Sequence, residues 1–405
     1  MEPLRIGLVG INGFAQTHLH GIRHLVQINR AKWKGSVILP AEQDSERDNK
    51  FRQEGVSIYD SLKAMLEDSS NPLDLITLPI GIHQHAPMSI QIMKAGYHVL
   101  CEKPVAGTLQ ETRAMQACQK QTGKTLTIGY QHIFSPLIQR LKAETLNHTW
   151  GALKEMRAYV IWPRDTHYYK RNSWAGKIKV GDHTIYDSPL QNATAHYLNV
   201  MLYLAGSTSH DSAIPRWIYG ENYRAKPIES ADTQYLRLET NEGVYIQFIT
   251  THAASEVVEP VFEFTYEQAR IRLVLSGENR VERYKLGNQA SEPVETWVNE
   301  SPIDLTANLF EQVASAIQSN QPALCTIHNA WQHTLCVEKT FKNNPVVTIP
   351  KEFLDMRVGN EGAEHVYIRD IKPLFKKMHD SRASFHECGV PWAIAGIEDR
   401  MVLNE

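Results

Sequence analysis

Several short stretches of the chain gather residue types that do chemistry together. Gly10-Ile11-Asn12-Gly13-Phe14-Ala15 follows an apolar run and precedes residues at helical spacing. A glycine turn between strand and helix aims backbone N–H groups and the positive end of the helix dipole at phosphate. The pattern approaches the dinucleotide fingerprint G-x-G-x-x-G/A, with Asn12 where a second glycine normally admits the pyrophosphate. Asn tolerates left-handed backbone better than most residues, and Gly13 follows at once. Gly10, Asn12, Gly13, Phe14 and Ala15 are therefore expected to cradle phosphate, although the same segment also reads as a plain strand-to-helix turn. The acid expected to hold the adenosine ribose is Glu42, with Asp44 as the alternative. Either carboxylate favours NAD by repelling a 2′-phosphate, and the nearby Arg47 would reverse that preference.

A second group lies in Gly96-Tyr-His-Val-Leu-Cys-Glu-Lys-Pro104. A lysine directly after a buried strand stands at the carboxyl edge of a parallel sheet, where ligands bind. Glu102 beside it is expected to hold the ammonium of Lys103, and Pro104 to stiffen the loop. His83 and His85 follow Pro79 near the same edge, at a spacing that makes no convincing metal set. A third group, Asp187-Ser188-Pro189-Leu190-Gln191, has the form of a helix start: Ser188 as N-cap, Pro189 as first helical residue, Gln191 as capping partner. The helix expected over 188–205 would put Asn192 and His196 on one face, with Asp187 just outside it. The fourth group, Trp162 to Trp174, is dense in aromatic and polar side chains. Aromatic faces pack against sugar C–H faces, and polar groups bind hydroxyls or an acidic group. Tyr168, Tyr169, Arg171, Asn172 and Trp174 are the candidate substrate residues, together with Asp187. An oligomer contact or a loop packed on its own rings is the alternative.

The elements that must position these groups fall into two patterns. Short apolar runs at 4–10, 37–39, 73–79, 98–101 and 126–129 alternate with helical spacing at 15–28, 61–67, 86–95 and 108–122. That alternation predicts βαβ units and a doubly wound parallel sheet, with its crevice at the carboxyl ends of the strands. After Gly151, β-rich or alternating segments at 153–162, 233–239, 243–250, 261–266 and 270–275 predict a mostly antiparallel open sheet. Helices are expected near 304–319 and 328–342. The fold class is thus α/β, a doubly wound parallel domain over 1–130 followed by an α+β domain over 131–350. A C-terminal extension over 351–405 has no derivable role. It is expected to wrap a neighbouring subunit or to cover the crevice.

Composition narrows the field. The chain has 405 residues, 42% hydrophobic and 21% charged, with a formal net charge of −3, so nucleic acid and anionic membranes are not expected partners. Five cysteines, an odd number without a C-x-x-C pair, argue against a disulfide framework or zinc site and fit a reducing cytoplasm. No secretory signal is visible, and no apolar run approaches a membrane span.

Taken together, the Gly10–His18 turn, Pro79 with His83 and His85, Gly96–Pro104, and Gly129-Tyr130-Gln131 leading to Pro136 resemble the glucose–fructose oxidoreductase / inositol dehydrogenase / MocA family. The helix end at Tyr203-Leu204-Ala205-Gly206 and the helix pair within 304–342 add to the resemblance, which covers about residues 4–345. It implies a Rossmann domain followed by an α+β domain whose open sheet commonly serves oligomerisation, here a homo-dimer or tetramer. It also implies NAD, with NADP possible, as cofactor. Gly10 to Ala15, Glu42, Pro79, His83, His85, Glu102, Lys103 and Gln131 would line the cofactor. Lys103 would contact the nicotinamide ribose and a substrate hydroxyl. The family usually places Asp-x-x-x-His at the later helix. His196 matches the histidine, but Asn192 replaces the aspartate and brings no charge to raise the imidazole's basicity. His196 is the expected base, with Asn192 orienting it and Asp187 a possible source of a carboxylate. The activity implied is hydride transfer between nicotinamide and a secondary alcohol of a sugar, cyclitol or derivative. Two other readings stay open: NAD-dependent glycoside cleavage through transient oxidation, and a nucleotide-binding protein without catalysis.

Overall fold

The computed structural model of the chain describes residues 2–39, 42–276, 278–287, 292–299, 303–359 and 362–401. The chain divides into two compact units, residues 1–135 with 303–331, and residues 136–302 with 332–405. The first boundary lies five residues beyond the expected one. The larger difference is that a distant helical segment belongs to the first unit.

The first unit contains β1 (Leu4–Val9), α1 (Ala15–Gln27), β2 (Ala31–Val37), α2 (Ser45–Gln53), β3 (Ser57–Tyr59), α3 (Leu62–Glu67), β4 (Leu75–Leu78), α4 (Ile82–Lys94), β5 (His98–Cys101), α5 (Leu109–Thr122) and β6 (Leu126–Ile128). All six strands run parallel, in the spatial order β3-β2-β1-β4-β5-β6. The order reverses between β1 and β4, and at that switch point the carboxyl ends of the strands open a crevice. The apolar runs of β1, β4 and β5 are almost wholly buried, as strands covered on both faces require. Local chemistry sets the helix ends. Thr108 accepts the Glu111 N–H to start α5, and Gly123 ends it at φ 66°, a left-handed conformation that favours glycine.

Two expectations are corrected here. The second strand is Ala31–Val37, not 37–39. Lys32 and Lys34 alternate with Trp33 and Gly35, so the run does not read as buried, yet Trp33 is buried and packs edge-on against Phe51 of α2. Helix α4 begins at Ile82, four residues before the expected start, which places His83 and His85 within it.

The second unit proceeds through α6 (Pro136–Leu146), β7 (Leu153–Ile161), α7 (Thr166–Lys170), the ribbon β8 (Lys179–Val180) and β9 (His183–Thr184), α8 (Ala195–Leu204), β10 (Pro215–Arg224), β11 (Thr233–Thr240), β12 (Tyr245–Thr251), β13 (Val258–Tyr266), β14 (Ala269–Val274), β15 (Arg280–Lys285) and β16 (Glu295–Val298). The chain then forms α9 (Leu305–Ser319) of the first unit and α10 (Ile327–Asn343), before β17 (Val346–Thr348), the ribbon β18 (Leu354–Val358) and β19 (Glu364–Ile368), α11 (Ile371–Ser381) and β20 (Ile397–Arg400). The main sheet has the order β16-β15-β14-β13-β7-β12-β11-β10-β17, with β20 also on β10. The β7–β12 and β10–β17 pairs are parallel and the others antiparallel.

Strand periodicity separates the two faces of this sheet. Even-numbered residues of β10, β12 and β13 such as Gly220, Asn222, Phe248 and Phe262 face the helices. Gly220 lies against Thr340 of α10, and Phe262 packs edge-on with Tyr197 of α8. Odd-numbered residues of β7, β10, β11 and β12 face the C-terminal segment. Tyr219, Tyr223, Tyr235 and Ile249 form one buried cluster with Phe375, Met378, Phe385 and Trp392. The extension thus lies on its own chain's sheet over β7, β10, β11 and β12. Arg157 Nη1 donates to the His379 carbonyl and Arg237 pairs with Glu387 at 2.7 Å, which tie the extension down at its polar margins.

Candidate functional site

The glycine turn is built as a helix entry. Gly10 has φ 85° and Gly13 φ 58°, so Gly13, not Asn12, takes the left-handed conformation. The Ala15 and Gln16 N–H groups close back on the Asn12 and Gly13 carbonyls. Among the described residues the Asn12 and Gly13 N–H groups meet no acceptor, and a Cβ added at Gly10 or Gly13 would meet nothing within 4 Å. An open turn with uncommitted N–H groups at the start of α1 fits a pyrophosphate. Phe14 is exposed beside it.

Glu42 stands next to this turn. Its Oε1 accepts a long contact from Asn12 Nδ2 at 3.4 Å, and its Oε2 accepts the Leu39 N–H. Arg47 is close by, but its guanidinium is committed: Nη2 donates to the Glu42 carbonyl at 2.6 Å and to Asp48 Oδ1 at 3.0 Å. Asp44 is taken up as the N-cap of α2.

At the end of β5, Glu102 is buried and Lys103 half-buried. Glu102 Oε2 accepts the backbone N–H of Lys103 at 3.0 Å, and Oε1 lies 3.1 Å from Nε2 of His18, a fully buried residue of α1. The carboxylate therefore grips the lysine loop by its backbone, where the sequence suggests a grip on the ammonium. The Lys103–Pro104 peptide bond is cis. Pro79 follows β4 and is half-buried, as are His83 in the first turn of α4 and Gln131 in the short 3₁₀ turn after β6.

His85 is corrected. It is fully buried, with Nδ1 2.7 Å from the Pro104 carbonyl and Nε2 3.1 Å from the Ile80 carbonyl. Burial pulls its pKa down. The ring lies between carbonyls of the loops that follow β4 and β5, and in its neutral form it donates to one of them at a time.

In the second unit the expected helix start gives way to turns. Helix α8 begins at Ala195, after Thr194, seven residues later than Ser188. Ser188 Oγ does accept the Gln191 N–H, weakly at 3.4 Å, but the Leu190 N–H goes to Gln234 Oε1 of β11 and His333 Nε2 lies 2.9 Å from the Leu190 carbonyl. These tertiary partners hold 188–194 out of the helix. Asn192 therefore precedes the helix and shares no helical face with His196, which is half-buried at the second position of α8. Asn192 Nδ2 donates to Asp187 Oδ1 at 2.9 Å, and Asp187 Oδ2 accepts the Gly176 N–H at 2.7 Å. The chain thus places a buried carboxylate directly on Asn192.

The aromatic segment after β7 forms the short α7 and its following turn. Asp165 caps α7 by accepting the Tyr168 N–H. The Arg171 guanidinium lies 3.8 Å from the centre of the Tyr168 ring, 5.2 Å from that of Trp174 and 3.9 Å from Asp187 Oδ2. Arg164 lies 5.0 Å from Tyr168. The Tyr168 face expected to receive a sugar thus carries arginine, a cation–π stack. Tyr169 and Asn172 are bonded within the second unit. Tyr169 OH bonds the buried His252 Nδ1 at 2.9 Å, and Asn172 Oδ1 accepts the Trp174 and Ala175 N–H groups. Both hold the loop. Burial raises the Tyr168 pKa and raises that of Tyr169 further, while burial and then the nearby Arg164 lower that of His252. His18 and His252 escaped the sequence reading. Their partners are 84 and 83 residues away, and no local pattern marks them.

Among the described residues no helix is long and apolar enough to cross a membrane, and no cluster of three or more His, Cys, Asp or Glu is placed to hold a metal.

Comparison with known proteins bears on the first unit most directly. Residues 4–130 match the Gfo/Idh/MocA model, an oxidoreductase family with an NAD-binding Rossmann fold. Two curated relatives are a 4-carboxy-2-hydroxymuconate-6-semialdehyde dehydrogenase of Sphingobium sp. and inositol 2-dehydrogenase 4 of Saccharopolyspora erythraea. The former is 24% identical over 54% of this chain and 64% of its own length, the latter 24% identical over 60% and 66%. The matches span between about a quarter and two thirds of the length of these and other curated relatives. Among solved structures, the WlbA dehydrogenase from Bordetella pertussis, in complex with NADH and UDP-GlcNAcA, superposes with a TM-score of 0.68 at 19% identity. That match covers 84% of this chain and 97% of the other, and at that identity it speaks for the fold.

Proposed function

We propose that this chain, whose residues 4–130 belong to the NAD-binding Rossmann fold of the Gfo/Idh/MocA oxidoreductases, transfers a hydride between a nicotinamide cofactor and a secondary alcohol of a sugar, cyclitol or derivative. The observation that carries the reading is the collection of the open glycine turn, Glu42 and Lys103 on the carboxyl edge of one 3-2-1-4-5-6 sheet. The turn from Gly10 to Ala15 would hold the pyrophosphate, Glu42 the adenosine ribose, and Pro79, His83, Lys103 and Gln131 the nicotinamide end. The bound cofactor supplies the hydride acceptor. Lys103 positions the reacting hydroxyl by donating to its oxygen, and His196 takes its proton, a role suited to imidazole near neutral pH. Asn192, carrying the Asp187 carboxylate, orients the loop that leads into His196. Arg171 and Trp174 are the substrate-side groups retained from the aromatic segment.

The substrate class is supported by relatives and neighbours named for inositol and a nucleotide-linked sugar acid. A cytoplasmic homo-dimer or tetramer completes the reading, and light scattering on the purified chain tests the assembly. The test of function is a screen of sugars, cyclitols and nucleotide sugars with NAD and NADP, following nicotinamide absorbance and product mass together. Lys103→Met and His196→Ala are each expected to lower turnover by about 10²–10⁴. Full activity in both variants sinks the mechanism.

A further inference from the structure

We infer that His18 is a positioning residue that sets where Lys103 stands, acting through Glu102. The inference rests on the reading of Lys103 as a group that contacts the cofactor. His18 lies one turn into α1, the helix that starts at the glycine turn, and it is 1% exposed. Its Nε2 is 3.1 Å from Glu102 Oε1. A carboxylate only accepts, so the Nε2 proton points at Glu102. The other oxygen, Oε2, accepts the backbone N–H of Lys103 at 3.0 Å.

Three features make this a locked arrangement. Gly129 backs the carboxylate so closely that a Cβ there would sit 2.7 Å from Oε1. Phe310 of α9 holds the His18 ring edge-on, with centroids 5.5 Å apart at 89°. Phe310 in turn rests on the α1 backbone at Gly21, where a Cβ would come 2.3 Å from its ring. Glu102 is buried, and a buried carboxylate without donors is strongly disfavoured. Without the His18 donor it would turn toward water and release the Lys103 N–H. The phosphate-facing helix and the lysine loop are thereby fixed to one another through a single imidazole and a single carboxylate.

A merely structural histidine predicts lost stability alone. A positioning histidine predicts an effect that depends on Lys103 and is restored by another donor at the Nε2 position. The test titrates the full-length chain with NADH, following reduced-nicotinamide fluorescence, with circular dichroism as the control for folding. His18→Leu is expected to weaken NADH binding on the order of tenfold. His18→Gln, whose amide nitrogen reaches the Nε2 position, is expected to recover most of that loss. The His18→Leu/Lys103→Met double variant is expected to bind no more weakly than Lys103→Met alone, because coupled residues are not additive. Should His18→Leu fail to fold, Glu102→Gln takes its place, with the same expected loss beside a near-native His18→Gln. Additive losses in the double variant, equal losses in the Leu and Gln variants, or unchanged affinity in both His18→Leu and Glu102→Gln overturn the inference. A wild-type chain that does not bind NADH overturns the cofactor reading itself, a result distinct from tight wild-type binding that ignores His18.

Discussion

Gly129→Ala measures how tightly Glu102 is held. Gly129 follows β6, and its N–H is fixed to the Cys101 carbonyl at 2.8 Å. A methyl group there would lie 2.7 Å from Glu102 Oε1, 3.2 Å from its Cδ and 3.4 Å from its Cα. Ordinary contact between such atoms is about 3.5 Å, so the carboxylate would have to retreat by roughly 0.8 Å. It has little room to do so, because its two oxygens are engaged at 3.1 and 3.0 Å and the third close atom is backbone. Overpacking of this kind costs about 1–3 kcal/mol. Losing a hydrogen bond to a charged group costs about 1.5–3 kcal/mol. The expected destabilisation is about 2–4 kcal/mol, which at about 2–4 °C per kcal/mol for a unit of this size lowers the melting temperature by roughly 5–15 °C. NADH affinity is expected to fall on the order of tenfold as the Lys103 loop shifts. Gly123→Ala is the control. It has φ 66° and open space around its Cα, so it is expected to cost about 1–2 kcal/mol in left-handed strain and leave NADH affinity unchanged. Thermal melting and fluorescence titration read both variants. A Gly129→Ala chain that melts with the wild type and binds NADH equally well refutes the wedge around Glu102.

Glu42→Ala is expected to shift preference toward NADP by about tenfold or more, because it removes the charge that repels a 2′-phosphate and leaves Arg47 in place. Parallel titrations with NADH and NADPH check this, and an unchanged ratio counts against Glu42 as the ribose acid. Lys142 of α6 is buried, donates from Nζ to the Tyr203 and Gly206 carbonyls at 2.6 Å each, and is pulled down to about 7 by burial. Between that value and the ordinary 10.5, the unfolded chain holds the proton and the folded chain does not, so stability rises with pH through this window. Relative to Lys142→Met, the wild type is expected to gain stability in urea unfolding from pH 7 to pH 10. A difference that does not change with pH is the contrary result. Phe385→Ala is expected to destabilise the second unit by about 3–5 kcal/mol, since the ring is fully buried against Tyr223, Phe375 and Trp392. A loss below about 1 kcal/mol in urea unfolding would mean the C-terminal segment is not packed as described.

What could be read from the residues was local. β1, β4 and β5 are continuous apolar runs, and the glycine turn and Glu102-Lys103 sit directly at their ends, so strand and site residue announce each other. Lys32 and Lys34 break the apolar run of β2, so the residues place that strand too late in the chain. Ser188, Pro189 and Gln191 have the right capping chemistry and predict α8 too early, while the groups that claim Leu190's backbone come from Gln234 and His333. The roles of His18, His85, Tyr169 and Asn172 depend on which backbone or side chain stands opposite. For His18 and Tyr169 that partner is more than eighty residues away. The sequence marked the aromatic segment as chemically rich, but it could not say that Arg171 occupies the ring faces it offers.

The return of α9 to the first unit carries a consequence for how the molecule is made. Phe310 covers Gly21 and His18, and Glu311 and Gln318 bond His24 and Arg30. The surface of α1 therefore stays unclosed while residues 136–302 are synthesised. Residues 136–302 of the second unit lie between β6 and α9, so the first unit is finished only after much of the second has emerged. Contacts closed across such a loop form slowly, and an unclosed helix face invites association with other chains. A fragment cut after residue 135 would keep all six strands of the first sheet and still lack the helix that seals it.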